Sequence, residues 1–187
     1  MKLITNVKIF KELINNFNSF SDGRIDKESL ENTPNRLAKM FVNELLIGYK
    51  ESPEEILSKQ FETDNNEMII IKDIPFVSLC THHWLPFIGI AHVGYLPKNN
   101  KIVGLSKIPR IVKCFSRRFQ IQENMTSQIA DSIFNILKPE GVIVITEAQH
   151  LCAQIRGVQA HSVKMKCSAI RGCFEKPEIK EEFLKLL

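Results

Sequence analysis

Phe87-Ile88-Gly89-Ile90-Ala91-His92-Val93-Gly94-Tyr95-Leu96 is the stretch whose reading decides the fold class. It alternates about Ile88, Ile90, His92 and Gly94, a period of two that suits a strand and not a helix. Upstream, Met68 to Ile71 is β-branched and apolar, so a second strand is predicted there. Downstream, Pro97-Lys98-Asn99-Asn100 has turn composition, and Lys101 to Leu105 is predicted to return as the other arm of a hairpin. Val142 to Thr146 is a strand by composition. It is expected to continue through His150 and Cys152 to Arg156, with Ser162 to Phe174 as its hairpin partner.

Helices surround these strands. Leu3, Val7, Phe10, Leu13, Ile14 and Phe17 recur at helical spacing, which predicts a helix over 3–17. Ser19 to Asn32, containing Ser21-Asp22-Gly23, reads as a loop, and Thr33-Pro34 as the start of a second helix burying Leu37, Met40, Phe41, Leu45 and Leu46. Ser52-Pro53-Glu54-Glu55 carries a further start signal with glutamate at the capping-box position. Asp64-Asn65-Asn66 breaks the chain. Between the strand pairs, one helix is expected from Ser106 to about Phe119. Another runs from about Asn124 to Leu137, with Met125, Ile129, Ile133, Ile136 and Leu137 on one face, and Pro177 to Leu187 forms the last. The order of helices, strand pair, helices, strand pair and helix predicts an α+β fold with an antiparallel sheet. The 187 residues suit one domain. Residues 1–60 are read as an N-terminal helical region and 67–187 as the strand-bearing core.

A formal charge of +4 is too small for a dedicated nucleic-acid binder and tilts only gently toward anionic ligands. No apolar run approaches the ~18 residues that cross a bilayer, and the start has no signal-peptide pattern. A cytoplasmic protein with no membrane partner is expected. Five cysteines, an odd number without framework spacing, suit reduced thiols and metal ligation. Cys114, Cys167 and Cys173 read most simply as small buried hydrophobes.

The chemistry concentrates in two fragments. Ser78-Leu79-Cys80-Thr81-His82-His83-Trp84 holds a thiol and an imidazole three residues apart, with a second imidazole between them. Glu147-Ala148-Gln149-His150-Leu151-Cys152 offers a second thiol and another imidazole. On one strand, His150 and Cys152 would face the same side. If that side meets the first fragment, Cys80, His83 and Cys152 supply three ligands, leaving a position for water, with His82 and His150 beside it for proton transfer. A structural site recruiting His150 as fourth ligand is the main alternative, and a Cys152 nucleophile activated by His150 is another.

Ser106-Lys107-Ile108-Pro109-Arg110 opens a helix, where free N–H groups and the positive dipole end favour an anion. Arg117, Arg118 and Arg156 could extend this cluster toward a polyphosphate, or the basic residues could form a solvated face. In Gln122-Glu123, the carboxylate can accept the two parallel N–H bonds that guanine presents. A helix-start carboxylate favoured by the dipole is the plainer reading.

Together these fragments resemble GTP cyclohydrolase I. The resemblance is carried by Thr33-Pro34-Asn35-Arg36, Ser78-Leu79-Cys80 with His82-His83 and Pro86-Phe87, and Gly94-Tyr95-Leu96-Pro97. It continues through Val103-Gly104-Leu105-Ser106-Lys107 with Arg110, Ser116-Arg117-Arg118, Gln120-Ile121-Gln122-Glu123, Glu147-Ala148 with His150 and Cys152, and Arg156-Gly157-Val158. It implies a zinc enzyme converting GTP and water to 7,8-dihydroneopterin triphosphate and formate, the entry step to folate and other pterins. It also implies a tunnelling fold, with helices on one face of the sheet, assembled as a toroidal homodecamer with active sites between subunits. Carried over, Cys80, His83 and Cys152 are the expected zinc ligands and His82 and His150 the acid/base residues. Gln122 and Glu123 are expected on guanine, Ser106 on the ribose, and Lys107, Arg110 and Arg156 on the triphosphate. Thr81 stands where the family usually has glutamate, and Gln149 where threonine is common. Val163-Lys164-Met165-Lys166-Cys167-Ser168 replaces a threonine-rich strand.

Overall fold

A computed structural model describes residues 3–64 and 66–187, with side chains described from residue 6 onward apart from that gap. The Leu3 side chain of the first predicted helix, and Asn65 of the predicted chain break, lie outside the described residues. The chain divides into one compact unit that ends at Ile47 and another spanning Gly48–Leu187.

In the first unit, α1 covers Leu3–Phe20 and α2 covers Lys27–Met40. The predicted loop over 19–32 is therefore short, and α2 begins well before Thr33-Pro34. Asp26 causes this: its carboxylate accepts from the Ser29 amide at 2.9 Å, satisfying an N–H that would otherwise lack a partner at the helix start. Pro34 sits inside the helix. After α2 the backbone widens into a π-helical turn, Phe41–Leu45, closed by Leu46 N–H on the Phe41 carbonyl at 2.9 Å. Phe10 stacks on Phe41 with centroids 5.4 Å apart. Leu13 and Phe17, expected on the buried face of α1, are exposed, as is Phe20 at its end.

The second unit begins with α3, Pro53–Leu57, capped as predicted by Ser52 accepting from Glu55 N–H. Then follow β1 (Gln60–Glu62), β2 (Ile69–Cys80), β3 (Pro86–Leu96), β4 (Lys101–Val103), α4 (Lys107–Ser116), β5 (Phe119–Gln120) and α5 (Gln122–Leu137). The chain closes with β6 (Gly141–His150), α6 (Leu151–Gln154), β7 (Lys164–Gly172) and α7 (Pro177–Leu186). The main sheet has the order β5-β2-β3-β6-β7. Its long pairs are antiparallel, and only the short β5 runs parallel to β2. This is the α+β class expected from the sequence.

The predicted hairpin between Phe87–Leu96 and Lys101–Leu105 does not form. Asn99 and Asn100 do make the turn, both with positive φ. However, β3 already has β2 on one edge and β6 on the other, Tyr95 facing Ile69 and Val142. An interior strand has no free edge, so β4 pairs instead with β1 in a separate two-stranded sheet.

The alternation in β3 marks a strand, but the residues turned toward the main core are the complementary set, Phe87, Ala91, Val93 and Tyr95. They meet Ile108, Ile111, Val112 and Phe115 of α4 and Met125, Ile129 and Ile133 of α5. These helices cover one face, as expected. On the other face a smaller cluster joins Ile143 and Ile145 to Phe174 and Phe183, so α7 covers part of that side. Gly94 makes this contact possible, because a Cβ there would lie 2.6 Å from the Phe183 ring.

Candidate active site

β2 delivers Cys80 to its last position, and the hairpin loop that follows carries both adjacent histidines. The loop closes with Cys80 N–H on the Leu85 carbonyl at 2.9 Å and Trp84 N–H on the Cys80 carbonyl at 2.8 Å. Trp84 takes a left-handed conformation, φ 58°, and its ring packs on Phe119 at 5.0 Å, which helps offset the backbone cost. Gln120 holds the loop from β5, its carbonyl accepting from Thr81 N–H at 3.1 Å. His82 and His83 are exposed at the tip, and each Nδ1 lies 3.9 Å from Cys80 Sγ.

β6 supplies the opposite wall. Its period of two turns Val142, Val144, Thr146, Ala148 and His150 toward the helices. His150 faces Phe87 across the sheet, and the rings stack at 4.6 Å, nearly parallel. The strand does not run on to Arg156. Its pairing with β7 ends at Gln149 opposite Lys164, and its pairing with β3 ends at His150. Without neighbours to accept its hydrogen bonds, the backbone closes its own as α6, with Ile155 N–H on the Leu151 carbonyl at 3.0 Å. Cys152 therefore stands on a helical turn and does not share the expected strand face with His150. That turn still carries it to a cluster that could hold a metal ion: one donor atom each of Cys80, His83 and Cys152 lie within 4.8 Å of one another.

The donor set fits a zinc-like cation. Tetrahedral bonds of about 2.3 Å to sulfur and about 2.0 Å to nitrogen place ligand atoms roughly 3.5–3.8 Å apart, close to the 3.9 Å between Cys80 Sγ and His83 Nδ1. His150 is not in the cluster; its Nε2 is 2.7 Å from the Gln122 amide oxygen. This disfavours both a closed structural site with His150 as fourth ligand and a Cys152–His150 nucleophile pair. Burial pushes His150 below the ordinary histidine value, with Glu123 opposing the shift. Burial and the neighbouring Cys80 push the Cys152 thiol upward.

A cavity of about 220 Å³ opens over this cluster, lined by Cys80, His82, His83, Glu123, His150 and Cys152 together with Gln120 to Gln122. Glu123 is exposed in the first turn of α5. The Gln122 side chain is 1% exposed, and its amide bonds to His150, Thr146 and Met165 within the protein. Ser106, Lys107 and Arg110 stand at the start of α4 and do not line this cavity. Ser106 makes no side-chain capping bond there. Arg156 follows α6, and its Nη1 is 3.1 Å from His83 Nε2. Arg118, one of the basic residues considered for an anion cluster, is structural. It donates to the Gly48 and Cys114 carbonyls and lies over the Phe115 ring. Of the three cysteines read as buried, Cys114 is, while Cys167 and Cys173 are half-buried.

Three residues beside the site were not singled out from the sequence: Phe87 as a ring for His150, and Thr126 and Thr146 behind Gln122. The one available signal was a threonine in the apolar run of β6, unusual on a fully buried face.

The GTP cyclohydrolase I family matches residues 10–187. A protein named GTP cyclohydrolase 1 from Desulforamulus reducens is 48% identical over 153 residues, 82% of this chain and 81% of that protein. One of the same name from Porphyromonas gingivalis is 51% identical over 162 residues, 86% and 83% of the two chains. Among solved structures, the apo archaeosine synthase QueF-Like superposes with a TM-score of 0.48 at 14% identity, covering 59% of this chain and 97% of that one.

Proposed function

The chain belongs to the GTP cyclohydrolase I family, and from that premise we propose that it is a zinc-dependent enzyme converting GTP and water to 7,8-dihydroneopterin triphosphate and formate. The observation that carries the reading is the convergence of Cys80, His83 and Cys152, with Glu123, His82 and His150 around the same cavity. Cys80, Cys152 and His83 would hold the zinc ion, which when bound would supply Lewis acidity and activate water near neutral pH.

The remaining roles belong to side chains. Glu123 accepts the two N–H bonds of the guanine edge, which orients C8 toward the cavity floor. His82 and His150 exchange protons with the imidazole ring of the base as it opens and the formyl group leaves. Lys107, Arg110 and Arg156 hold the triphosphate, and Ser106 the ribose. Ring opening and formyl release take up one water each, and pterin closure, in which the freed amine condenses with the carbonyl of the rearranged ribose, gives one back; otherwise only protons move, so no redox partner is called for.

A toroidal homodecamer with shared sites fits the separation of the groups. Ser106, Lys107 and Arg110 stand outside the cavity that Glu123 and His150 line, and Leu105 and Val158 beside the basic residues are exposed at 72% and 78%. A second subunit would supply the phosphate-binding helix start. The helical region over 1–60 and the core over 67–187 act as one functional domain. A cytoplasmic setting agrees with five unpaired thiols, and among the described residues no helix is long and apolar enough to cross a membrane.

The deciding experiment is incubation with GTP, with mass identification of the pterin triphosphate and quantitation of formate, on protein assayed for about one zinc per chain. Zinc-loaded, fully assembled protein that releases neither product defeats the proposal.

A further inference from the structure

The imidazole of His150 ends a chain of buried hydrogen bonds whose donors and acceptors can be assigned from one end to the other. The chain starts at a group that only accepts, the backbone carbonyl of Gln122, 2.7 Å from the Thr126 hydroxyl. The hydroxyl therefore donates there. Having one proton, Thr126 Oγ1 must accept at its 2.8 Å contact with Thr146 Oγ1, so Thr146 is the donor of that pair. Thr146 Oγ1 in turn accepts from the Gln122 amide nitrogen at 3.0 Å.

That nitrogen also faces two backbone carbonyls, Thr146 at 3.2 Å and Met165 at 3.1 Å. Turned the other way, the amide would place its oxygen against both carbonyls with no hydrogen between them. Gln122, Thr126 and Thr146 are each at most 1% exposed, so bulk water cannot repair such a mismatch and the orientation is locked. The amide oxygen is thereby aimed at His150 Nε2, 2.7 Å away. An oxygen of this kind only accepts, so the hydrogen of the imidazole sits on Nε2.

We propose that Gln122 is a positioning residue: its locked amide holds His150 in the Nε2–H tautomer, so that proton exchange with the substrate runs through Nδ1. Phe87, stacked at 4.6 Å, fixes the ring plane. The tautomer assignment stands on geometry, while its catalytic meaning rests on the proposed acid/base role of His150. It also replaces a guanine contact as the task of the Gln122 side chain.

The test uses the assembled, zinc-loaded enzyme with ¹⁵N-labelled histidine, comparing wild type, Gln122→Met and Gln122→Glu. Methionine keeps the length and removes the acceptor, whereas glutamate in its neutral form sets an O–H against the two carbonyls and keeps an acceptor for Nε2. Wild type and Gln122→Glu are expected to show His150 protonated at Nε2, and Gln122→Met to lose that fixed tautomer. Turnover of Gln122→Met should fall about 10–100-fold, the range for partners that orient a reacting ligand. Its KM for GTP should stay within about threefold, since no substrate contact is lost, and Gln122→Glu should recover part of the rate. Wild-type His150 protonated at Nδ1 overturns the inference. So does a Gln122→Met effect lying in KM alone, or one equal to that of Gln122→Glu with the tautomer unchanged. Should Gln122→Met not fold, the wild-type and Gln122→Glu spectra decide it. Full turnover in His150→Ala would instead defeat the acid/base reading, leaving the tautomer to be read from the spectrum.

Discussion

Arg156 and the metal compete for one imidazole, and Arg156→Ala is expected to tighten metal binding. In the structure Arg156 Nη1 stands 3.1 Å from His83 Nε2, and a guanidinium has only hydrogens to offer, so Nε2 must present a lone pair. A neutral His83 bound to a cation through Nδ1 carries its hydrogen on Nε2, and one bound through Nε2 has no lone pair left. Either way, loading the site breaks the contact and frees Arg156 for the triphosphate contact proposed for it. The bond joins exposed groups, which places its net worth near the low end of the usual range, about 0.5–1 kcal/mol. Its removal from the metal-free state should improve affinity about two- to fivefold. Loss of a positive charge near a dication acts in the same direction, but that part fades in about 1 M salt, where the Debye length is about 3 Å. Competition against a chromophoric chelator, with wild type and variant at low and high salt, measures both parts. A variant that binds zinc equally or more weakly in high salt refutes the reasoning, while absence of zinc from both proteins refutes the metal assignment itself.

His150→Ala should retain about one zinc per chain and lose pterin formation; zinc loss measured by metal analysis would make His150 a ligand. Mixing inactive His150→Ala and Lys107→Ala subunits, then reassembling them, should restore part of the GTP turnover if one site draws on two chains, and none if each chain is self-sufficient. Phe87→Ala removes a side chain with no exposure that packs on both Phe76 and His150. It should cost about 3–5 kcal/mol in denaturant unfolding. Tyr95, 1% exposed, has its phenol pushed above the ordinary value by burial. A raised folded-state value means full stability below the unfolded value of about 10 and progressive loss as pH rises through the folded one. Thermal melts should therefore fall in that alkaline window, and less so in Tyr95→Phe.

The identity of the chemistry was legible because it depends on residue types and short spacings. Cys80-x-x-His83, the nearby His82, and His150 with Cys152 name a thiolate–imidazole cation site without reference to where the chain goes. The strands were legible too, since alternation reports period directly. What alternation cannot report is phase when both sets are apolar, and so the core side of β3 required the packing of α4 and α5. Edges are equally non-local: β4 was expected beside β3, but β3's edges were taken by β2 and by β6, which arrives nearly fifty residues later in the chain.

The sequence by itself determined the family, the α+β class and the residue types of the candidate metal cluster. Tertiary structure decided that Cys152 reaches the cluster from a helical turn, because both neighbouring strands stop pairing at its threshold. It also decided that Gln122 faces inward, because the Thr146 hydroxyl, itself paired with Thr126, and carbonyls from β6 and β7 close around its amide. Local pattern carries residue chemistry and period; hydrogen-bond direction inside a dry network is a property of all its members at once, and only the folded chain assembles them.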